Sequence, residues 1–503
     1  MIKATLLTIT CIIGVPGLFS QDNIKLRKIL PIIDSLYKAA SIKHHLPGMV
    51  YGIVYNGQLV QTGETGNSNI SLQLLADSSS AFHIASMTKS FTAMAILQLR
   101  DKGKLSLDEP AYLYIPELKN QKAASPDAAP ITIRHLLTHS AGFPEDNPWG
   151  DRQLAISNAQ MITMIKKGIS FSNPPGIAYE YSNFAYALLG YIIKKISGKY
   201  YVDYITDQVL RPLGMTNTYF EYADVADNKL AHGYRWLNNN WAEQPMLHNG
   251  AYGAMGGMIT TMTDFVKYLS MHLAAWPPSS DNKNYVLKKS SLREMHHPWQ
   301  LRDLDTAFAY RPGKKCPIVT AYGYGLRWSK DCEGKIMIGH SGGLPGFGSN
   351  WTFMPDYGLG VVCFANSTYA PASVINANIL DTLIKLAHLS PRPIPVSPIL
   401  EQRRNELIKL LPGWLNAPSS GIFAENFFHD YFTDSLKKDA MEIFQQAGKI
   451  TGSTPIVAEN NLRGYFILEG EKSDIKIYFT LTPETPALVQ EYRIHQINKG
   501  ERK

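Results

Sequence analysis

Residues 84–90 read IASMTKS and open the strongest helical pattern in the chain, which runs from Met87 to Arg100. Nearly every side of that pattern is apolar, so we expect the helix to be buried. Ser86 and Lys89 are three residues apart and therefore share a face of the helix. Burial disfavours the charged ammonium of Lys89, which leaves its amine able to accept the Ser86 proton. Backbone N–H groups at a helix start can also hold an oxyanion.

A plainer interpretation makes Ser86 only a helix cap, because serine is strongly favoured at that position. The Ser-x-x-Lys spacing alone carries little information. It recurs at Ser35–Lys38, Ser280–Lys283, Ser435–Lys438 and Ser473–Lys476. Taken by itself, this stretch leaves the nucleophile and the cap equally open.

A second stretch, residues 179–183 (YEYSN), contains the only Tyr-x-Asn sequence in the chain, Tyr181-Ser182-Asn183. It precedes an apolar helical pattern from Phe184 to Ile196. A phenol close to cations can lose its proton and act as a base, and an asparagine amide can hold a substrate carbonyl. The alternative is a helix-start turn with packed tyrosines.

Residues 339–348 (GHSGGLPGFG) form a third stretch, in which five of ten residues are glycine. Glycine lets a substrate backbone approach a strand edge closely. His340 can donate a hydrogen bond to the Tyr–Lys cluster or to a substrate carboxylate. The alternative is a glycine-rich turn with a loop histidine.

Together the three stretches resemble the serine β-lactamase and penicillin-binding-protein superfamily, and most closely its class C-type branch. The family motifs are Ser-x-x-Lys, Tyr-x-Asn and Lys/His-Thr/Ser-Gly. They match Ser86–Lys89, Tyr181–Asn183 and residues 340–342, and further likeness lies in residues 105–108, 133–142, 212–215 and 256–258. The resemblance covers about residues 40–390.

The resemblance implies an α+β, β-lactamase/transpeptidase-like fold, with an antiparallel sheet flanked by helices and a mainly helical subdomain. It implies that Ser86 forms an acyl-enzyme while Lys89 and Tyr181 share the proton transfers. The oxyanion would lie between the backbone N–H groups of Ser86 and Gly343. Neither a metal nor a cofactor is implied.

The resemblance also implies a set of substrate-binding residues, which are Asn183, His340, Ser341, Gly342 and Gly343. Penicillin-specialised members usually carry lysine where this chain has His340, which is nearly neutral at pH 7. That departure favours an ester or amide hydrolase. A class C-like β-lactamase, a D,D-carboxypeptidase or D-aminopeptidase, and a non-catalytic penicillin-binding or sensor protein stay open.

Strand-like runs occur at both ends of this region and helical patterns lie between them. The runs are residues 49–55, 58–64, 336–338, 349–354 and 358–365, and helices are predicted at 24–43 and 372–389. Asn56-Gly57 is a strong hairpin turn signal between the first two runs. We therefore expect the strands from both ends to pair into one sheet.

The domain organisation is predicted as a signal peptide (1–20), a β-lactamase-like serine hydrolase domain (21–389), a Pro-rich linker (390–398) and a C-terminal α+β domain of unassigned role (399–503). A positive start, an apolar run and a small residue before polar ones are typical of a secretory signal. We therefore expect an exported protein, periplasmic or secreted, although an uncleaved anchor stays open. No later window offers 18 uninterrupted apolar residues, so no membrane span is expected after signal removal.

The last domain is predicted to hold a helix over 422–446 and strands over 465–468, 475–481 and 488–494. Aromatic residues recur at helical spacing in that helix. They are Phe423, Phe427, Phe428, Tyr431 and Phe432, and we expect them to form core.

Composition excludes several classes of protein. With 503 residues, 11% aromatic and 18% charged, the chain is neither disordered nor collagen-like. A net charge of +7 is too dilute for a nucleic-acid partner. The expected partner is a small-molecule or peptide substrate, and the oligomeric state stays open.

Cysteine and histidine positions add three expectations. Cys316 and Cys332 can pair in an oxidising compartment, whereas Cys363 lies in an apolar strand pattern and is expected to be a buried thiol. The pairs at residues 44–45 and 296–297 are adjacent histidines that point different ways, so we expect surface side chains and no metal site.

Overall fold

The computed structural model describes residues 16–278, 286–311 and 313–499. These residues form two compact units, one from 16–276 and 286–391 and the other from 277–278 and 392–499. Most of the predicted signal peptide lies outside the described residues. The predicted domain division stays a prediction, because compactness alone does not show that either part folds by itself. No described helix is long and apolar enough to cross a membrane.

The first unit contains most of the helices. They are α1 (Pro16–Lys43), α2 (Thr88–Asp101), α3 (Ile133–Leu137), α4 (Asn147–Gly150), α5 (Asn158–Lys167), α6 (Asn183–Ser197), α7 (Tyr201–Ile205), α8 (Gly253–Gly256), α9 (Met262–Leu273), α10 (Lys289–Met295) and α11 (Ala372–Ala387). A 3-10 turn, Ala85–Met87, leads directly into α2.

The strands of the first unit are mostly antiparallel partners in one large sheet. They are β1 (Gly48–Tyr55), β2 (Gln58–Asn69), β3 (Leu74–Leu75), β4 (Phe82–His83), β5 (Thr218–Tyr219), β6 (Tyr234–Leu237), β7 (Asn240–Glu243), β8 (Ile259–Thr260), β9 (Gln300–Asp305), β10 (Ala309–Arg311), β11 (Lys314–Lys315), β12 (Ile318–Tyr322), β13 (Arg327–Asp331), β14 (Ile336–Leu344), β15 (Phe347–Met354) and β16 (Leu359–Ala365). Among the described residues, the large sheet has nine strands in the order β3-β2-β1-β16-β15-β14-β13-β12-β9.

The sheet joins the two ends of the first unit, as predicted. β1 and β16 are antiparallel neighbours, with Met49 opposite Ala365. Asn56 and Gly57 both have positive φ, 49° and 76°, which a two-residue hairpin turn of type I′ requires. This pairing and the helices around it confirm the predicted α+β fold.

Both faces of the sheet are covered, so β1 is buried along its whole length. Val50 and Val54 point to the core that includes α2, α6 and α9. Met49, Tyr51 and Ile53 alternate with them and point to the core under α1 and α11. A strand covered on both faces has continuous rather than alternating burial.

The cysteines and histidines of the first unit test three of the expectations. Cys316 and Cys332 form a disulfide across the ends of β12 and β13, and Cys363 is a free, buried thiol as predicted. The prediction of a surface position is wrong for His296, which is buried because its ring packs beside the buried His272, with 2.8 Å between His296 Nε2 and His272 Nδ1. Its neighbour His297 is exposed.

The second unit is an α+β module of its own. Its elements are α12 (Pro398–Leu410), α13 (Phe427–Asp430), α14 (Thr433–Ala447), β17 (Ile450–Ser453), β18 (Val457–Asn460), β19 (Arg463–Gly470), β20 (Asp474–Leu481) and β21 (Val489–Ile497). The strands pair in the order β17-β19-β20-β21, and β18 also pairs with β19.

The single helix predicted over 422–446 is wrong, since two helices lie there and residues 422–426 belong to neither. The backbone of Phe423 bridges to Val489, which holds it extended. Phe423 and Phe427 are buried as expected, whereas Phe432 is 67% exposed at the junction before α14.

Candidate active site

Ser86 lies in the 3-10 turn before α2 and not in the α-helix itself. Ala85 has φ 49°, in the left-handed region that residues other than glycine rarely adopt. Ile84 and Met87 are the N-caps of the turn and the helix, so Ser86 does not cap either one. Its hydroxyl instead accepts a hydrogen bond from Lys89 Nζ at 3.0 Å. The geometry therefore favours Ser86 as a nucleophile over Ser86 as a cap.

The Ser-x-x-Lys sequences at Ser35 and Ser435 lack this arrangement. Ser35 donates to a backbone carbonyl, and Lys38 forms an ion pair with Asp34. Ser435 and Lys438 are both exposed. The pair at Ser280 lies outside the described residues.

Lys89 is completely buried, and oxygen atoms of the protein surround its amine. Besides its bond to Ser86, Nζ donates to Asn183 Oδ1 at 2.7 Å and to Met255 O at 2.9 Å. Burial lowers the pKa of Lys89 to about 7, and the negative charge of Asp151 opposes that shift. Near neutral pH, a large fraction of the amine is therefore uncharged and can take the Ser86 proton.

The Tyr181 ring lies beside Lys89. Lys89 Nζ is 4.8 Å from the centroid of that ring. Burial raises the pKa of Tyr181 and outweighs the guanidinium of Arg327, which lowers it. The prediction that nearby cations deprotonate this phenol is therefore not met in the resting protein, where its pKa stays above the usual value. Tyr181 is therefore a neutral donor that can relay a proton.

Asn183 is the first residue of α6, and its position depends on the capping of that helix. The Ser182 side chain caps α6. The Asp146 carboxylate accepts the Asn183 N–H at 2.6 Å and the Phe184 N–H at 2.9 Å. These bonds fix the start of α6 so that the Asn183 side chain can accept a hydrogen bond from Lys89. The prediction that Asn183 orients a substrate amide stays a prediction.

β14 carries the third motif along an edge that is partly open. β15 pairs with it as far as Leu344, whereas β13 pairs with it only as far as Gly339, opposite Arg327. Residues 340–344 therefore have one neighbouring strand. An extended substrate can form backbone hydrogen bonds along such an edge.

Gly342 and Gly343 let this strand pack against its neighbours. A Cβ at Gly342 would lie 2.1 Å from Ile84 O, in the segment that leads into the Ser86 turn. A Cβ at Gly343 would lie 2.6 Å from Cδ1 of Tyr369. Gly342 thus allows β14 to lie directly beside the nucleophile. The oxyanion position between Ser86 and Gly343 stays a prediction.

His340 is occupied within the protein, which corrects its expected role. Nδ1 lies 2.6 Å from Ser341 O and donates to it, so that Nε2 accepts the Tyr322 hydroxyl at 2.8 Å. Burial lowers the pKa of His340 well below its usual value, so the ring is neutral. Neither nitrogen reaches the Tyr–Lys cluster or is available to a carboxylate. Ser341 is half-buried, and its Oγ accepts from Asn350 Nδ2 at 3.1 Å.

Arg327 is a site residue that the sequence reasoning missed. It is exposed, and its guanidinium carbon lies 5.9 Å from the ring centroid of Tyr181. No local pattern marked it, because only its pairing opposite Gly339 brings it to the motifs.

His139 and Asp151 were missed as well. His139 is buried; its Nδ1 accepts the Ser182 N–H at 3.1 Å, and its ring lies 4.3 Å from that of Tyr181. Burial raises the pKa of Asp151 to about 6, although a hydrogen bond from the Tyr369 hydroxyl at 3.0 Å lowers it. His139 lies within the 133–142 segment already noted for its likeness to the family. Within residues 16–278, 286–311 and 313–499, no group of three or more His, Cys, Asp and Glu side chains could hold a metal ion.

Replacing Gly342 by alanine is expected to slow acylation of Ser86 by about 100-fold, the effect typical of a displacement near 1 Å. The new Cβ cannot occupy a position 2.1 Å from Ile84 O, so β14 must move away from the turn. The rate of fluorophosphonate labelling measures the effect. Gly413→Ala is the matched control, since a Cβ there meets nothing within 4 Å. Equal labelling of Gly342→Ala and wild type would contradict the packing argument.

Comparison with known proteins agrees with the motifs. The sequence model of the Beta-lactamase family matches residues 33–384. Protein flp of Staphylococcus aureus (strain COL) is 28% identical over 349 residues, which are 69% of this chain and 65% of that protein. Beta-lactamase-like protein 2 of Dictyostelium discoideum is 30% identical over 303 residues, 58% of this chain and 53% of that protein. The chain therefore spans less than two thirds of the length of these curated relatives.

A solved structure shows the same fold. The octameric penicillin-binding protein homologue from Pyrococcus abyssi matches with a TM-score of 0.58 and 23% sequence identity, over 94% of each chain. The assignment to the class C-type branch stays a prediction. Because the family match extends over well more than half of the sequence and the three motifs meet at one place, this chain belongs to the Beta-lactamase family.

Proposed function

We propose that this protein is an exported serine hydrolase that cleaves an ester or amide bond through an acyl-Ser86 intermediate. The observation that carries the proposal is the 3.0 Å contact between Ser86 Oγ and Lys89 Nζ, at a lysine whose pKa burial lowers to about 7. A hydroxyl beside a partly neutral amine is an activated nucleophile.

In the proposed acylation, Ser86 Oγ bonds to the substrate carbonyl carbon while its proton passes to the Lys89 amine. The electron pair of the carbonyl moves to its oxygen, which the backbone N–H groups of Ser86 and Gly343 would hold. The bond to the leaving group then breaks, and that group takes a proton from the Tyr181 phenol, which regains one from Lys89. A water molecule cleaves the acyl ester by the same transfers, and these belong to the Lys89–Tyr181 pair rather than to one residue.

Arg327 favours substrates that carry a carboxylate. Both ring nitrogens of His340 are occupied, whereas the cationic side chain of Arg327 is exposed. It lies beside Tyr181, which would protonate the leaving group, so an acid on that side of the substrate can reach it. Peptides of D-residues with a free C-terminus meet this description. A class C-like β-lactamase is the second candidate, because β-lactams also carry an acid.

Two observations support the proposal that the protein is exported. The first twenty residues read as a secretory signal. The Cys316–Cys332 disulfide is of a kind that persists in oxidising compartments.

The test of the proposed function is a panel of three substrates given to the full chain: p-nitrophenyl butyrate, an N-acyl-D-Ala-D-Ala peptide and nitrocefin. Hydrolysis of the ester or the peptide that is lost in Ser86→Ala supports the proposal. Fast turnover of nitrocefin with neither of the others would identify a β-lactamase instead. Labelling of Ser86 without turnover of any substrate would identify a penicillin-binding or sensor protein.

Replacing Asp151 by asparagine is expected to move the acid limb of the pH profile of kcat/KM to lower pH. The Asp151 carboxylate stabilises the Lys89 ammonium and so raises the pKa of Lys89 against the effect of burial. Without that charge the amine stays neutral to lower pH. Asparagine keeps the size of the side chain and can still accept the Tyr369 hydroxyl.

The exposed Asp127 provides the matched control, since Asp127→Asn changes the net charge equally and lies on the surface. The two profiles are compared with wild type using p-nitrophenyl butyrate. A profile for Asp151→Asn that is unchanged, or that moves to higher pH, would refute the coupling between Asp151 and Lys89.

A further inference from the structure

A cavity of about 360 Å³ lies against the third motif and extends away from Ser86 across the outer strands of the sheet. Ser341 and Arg327 line the end of the cavity near the motif. Thr320 and Arg302 line the part formed by β12 and β9. The register places Thr320 opposite Asp303, so Arg302 and Thr320 are neighbours on adjacent strands.

The cavity joins the open edge of β14 where β13 stops pairing with it. Arg327 is the first residue of β13 and lies opposite Gly339, two residues before Ser341. A substrate extended along residues 340–344 would therefore run into the cavity at its Arg327 end. Tyr181 lies at the same end. The leaving group, which Tyr181 would protonate, is therefore the part of the substrate that enters the cavity.

The charge of the cavity is positive. The guanidinium of Arg302 lies 5.7 Å from the ring centroid of Tyr179, and Arg327 and Arg302 both lower the pKa of Tyr179, which burial raises. Both guanidinium groups therefore act on the Tyr179 phenol, and Arg302 lies over its ring. Among the residues that the structure describes, neither arginine has an ion pair or hydrogen bond to an acid. Asp305 is the cavity's carboxylate, and it accepts the Ala307 N–H at 2.9 Å.

Two guanidinium groups beside one carboxylate give the cavity a net positive charge, which favours an anionic ligand. Arginine binds carboxylates by paired hydrogen bonds and is the side chain best suited to them. The Ser341 hydroxyl adds a neutral donor to the lining, whereas the Thr320 hydroxyl donates to Asp303 O at 3.1 Å. A leaving group with one carboxylate would satisfy Arg327 and leave Arg302 unused.

We propose that this cavity is a leaving-group subsite for a dicarboxylate, in which Arg327 and Ser341 bind the carboxylate of the substrate's C-terminus and Arg302 binds a second, side-chain carboxylate. The inference rests on the proposed function and names its substrate class: acyl compounds that release an acidic amino acid. Such a residue differs from D-alanine only in its side chain. The open edge of β14 serves both kinds of substrate.

The test compares two peptides with the same acyl part, N-acyl-D-Ala-D-Glu and N-acyl-D-Ala-D-Ala. Binding is measured by calorimetry in full-length Ser86→Ala, which cannot form the acyl-enzyme, so the result does not depend on turnover. We expect the D-Glu peptide to bind about tenfold more tightly, the effect of one additional charged hydrogen-bonded pair. Adding Arg302→Gln should bring the ratio of the two Kd values to about one, whereas Arg327→Gln should weaken both peptides. Arg311→Gln, at an exposed arginine of β10, should leave the ratio unchanged.

Equal Kd values for the two peptides, or absence of binding, would overturn the subsite. A tenfold preference that survives Arg302→Gln would overturn the role of Arg302. Turnover by the wild-type protein is measured in parallel. If both peptides are hydrolysed but bind with equal Kd values, the subsite is rejected and the proposed hydrolase activity is supported. If the D-Glu peptide binds more tightly but neither peptide is hydrolysed, the proposed hydrolase activity is rejected and the subsite is supported.

Discussion

Ser86→Ala is expected to abolish labelling by a fluorophosphonate and by a fluorescent penicillin, with a loss of hydrolysis of at least about 10³-fold. The substitution removes one oxygen atom from a side chain that is only 7% exposed, so the fold should be preserved. Lys89 loses one hydrogen bond and keeps those to Asn183 and Met255. The loss would therefore report the missing nucleophile rather than a collapsed site.

Ser435→Ala is the matched control for this experiment. Ser435 has the same spacing to a lysine, Lys438, but both side chains are exposed on α14. Labelling should be unchanged in Ser435→Ala, and the thermal unfolding of both variants should resemble that of wild type. Equal labelling of wild type and Ser86→Ala would show that the nucleophile is another residue.

Much of the fold was predictable because it follows from local patterns. The turn at Asn56-Gly57 predicts a hairpin by itself, and the run of apolar residues after Ser86 predicts a buried helix. The pairing of β1 with β16 followed from the position of strand patterns at both ends of the region. The prediction of one C-terminal helix over 422–446 was wrong because a bridge to Val489 holds Phe423 extended. Val489 lies 66 residues further along the chain, and the spacing of apolar residues within the helix pattern carries no information about such a contact.

The three motifs of the site were predictable, whereas the electrostatics around them were not. Lys89 and Asn183 come together over 94 residues of sequence, and their motifs marked them in advance. Arg327 and Asp151 have no motif, and they reach the site only through strand register and through the loop after α4. His340 belongs to the third motif, but the motif does not show which group its ring contacts. That partner is Tyr322, at the end of β12.

Tyr181 shows why residue type alone misjudges a pKa. A phenol near lysine and arginine should be acidified, and both cations are indeed close. Burial raises the pKa of Tyr181 by more than Arg327 lowers it, since removing a phenolate from water is costly. The same burial lowers the pKa of Lys89, so one buried environment leaves the lysine able to accept a proton and keeps the tyrosine a donor.

Lys89→Met is expected to reduce acylation of Ser86 by about 10³-fold, within the range for loss of a general base. Methionine nearly matches the length of the lysine stem and places no charge in a buried site. Asn183 Oδ1 and Met255 O lose a donor, at about 1–3 kcal/mol each if they stay unpaired. Removal of a buried ammonium offsets part of that cost. The variant should therefore fold and fail to react, which fluorophosphonate labelling and thermal unfolding measure together.

Lys89→Arg separates a base from a positive charge at the same position. A guanidinium cannot be deprotonated in a protein, so it can donate to Asn183 and Met255 but cannot take the Ser86 proton. If Lys89 acts as the base, the arginine variant should label as slowly as the methionine variant at every pH between 6 and 9. Wild type should become faster as pH rises through about 7, because its amine loses its proton there. Fast labelling of Lys89→Arg would show that a fixed cation is enough, and the proton of Ser86 would then have to pass to Tyr181, whose raised pKa makes its phenolate rare in the resting protein.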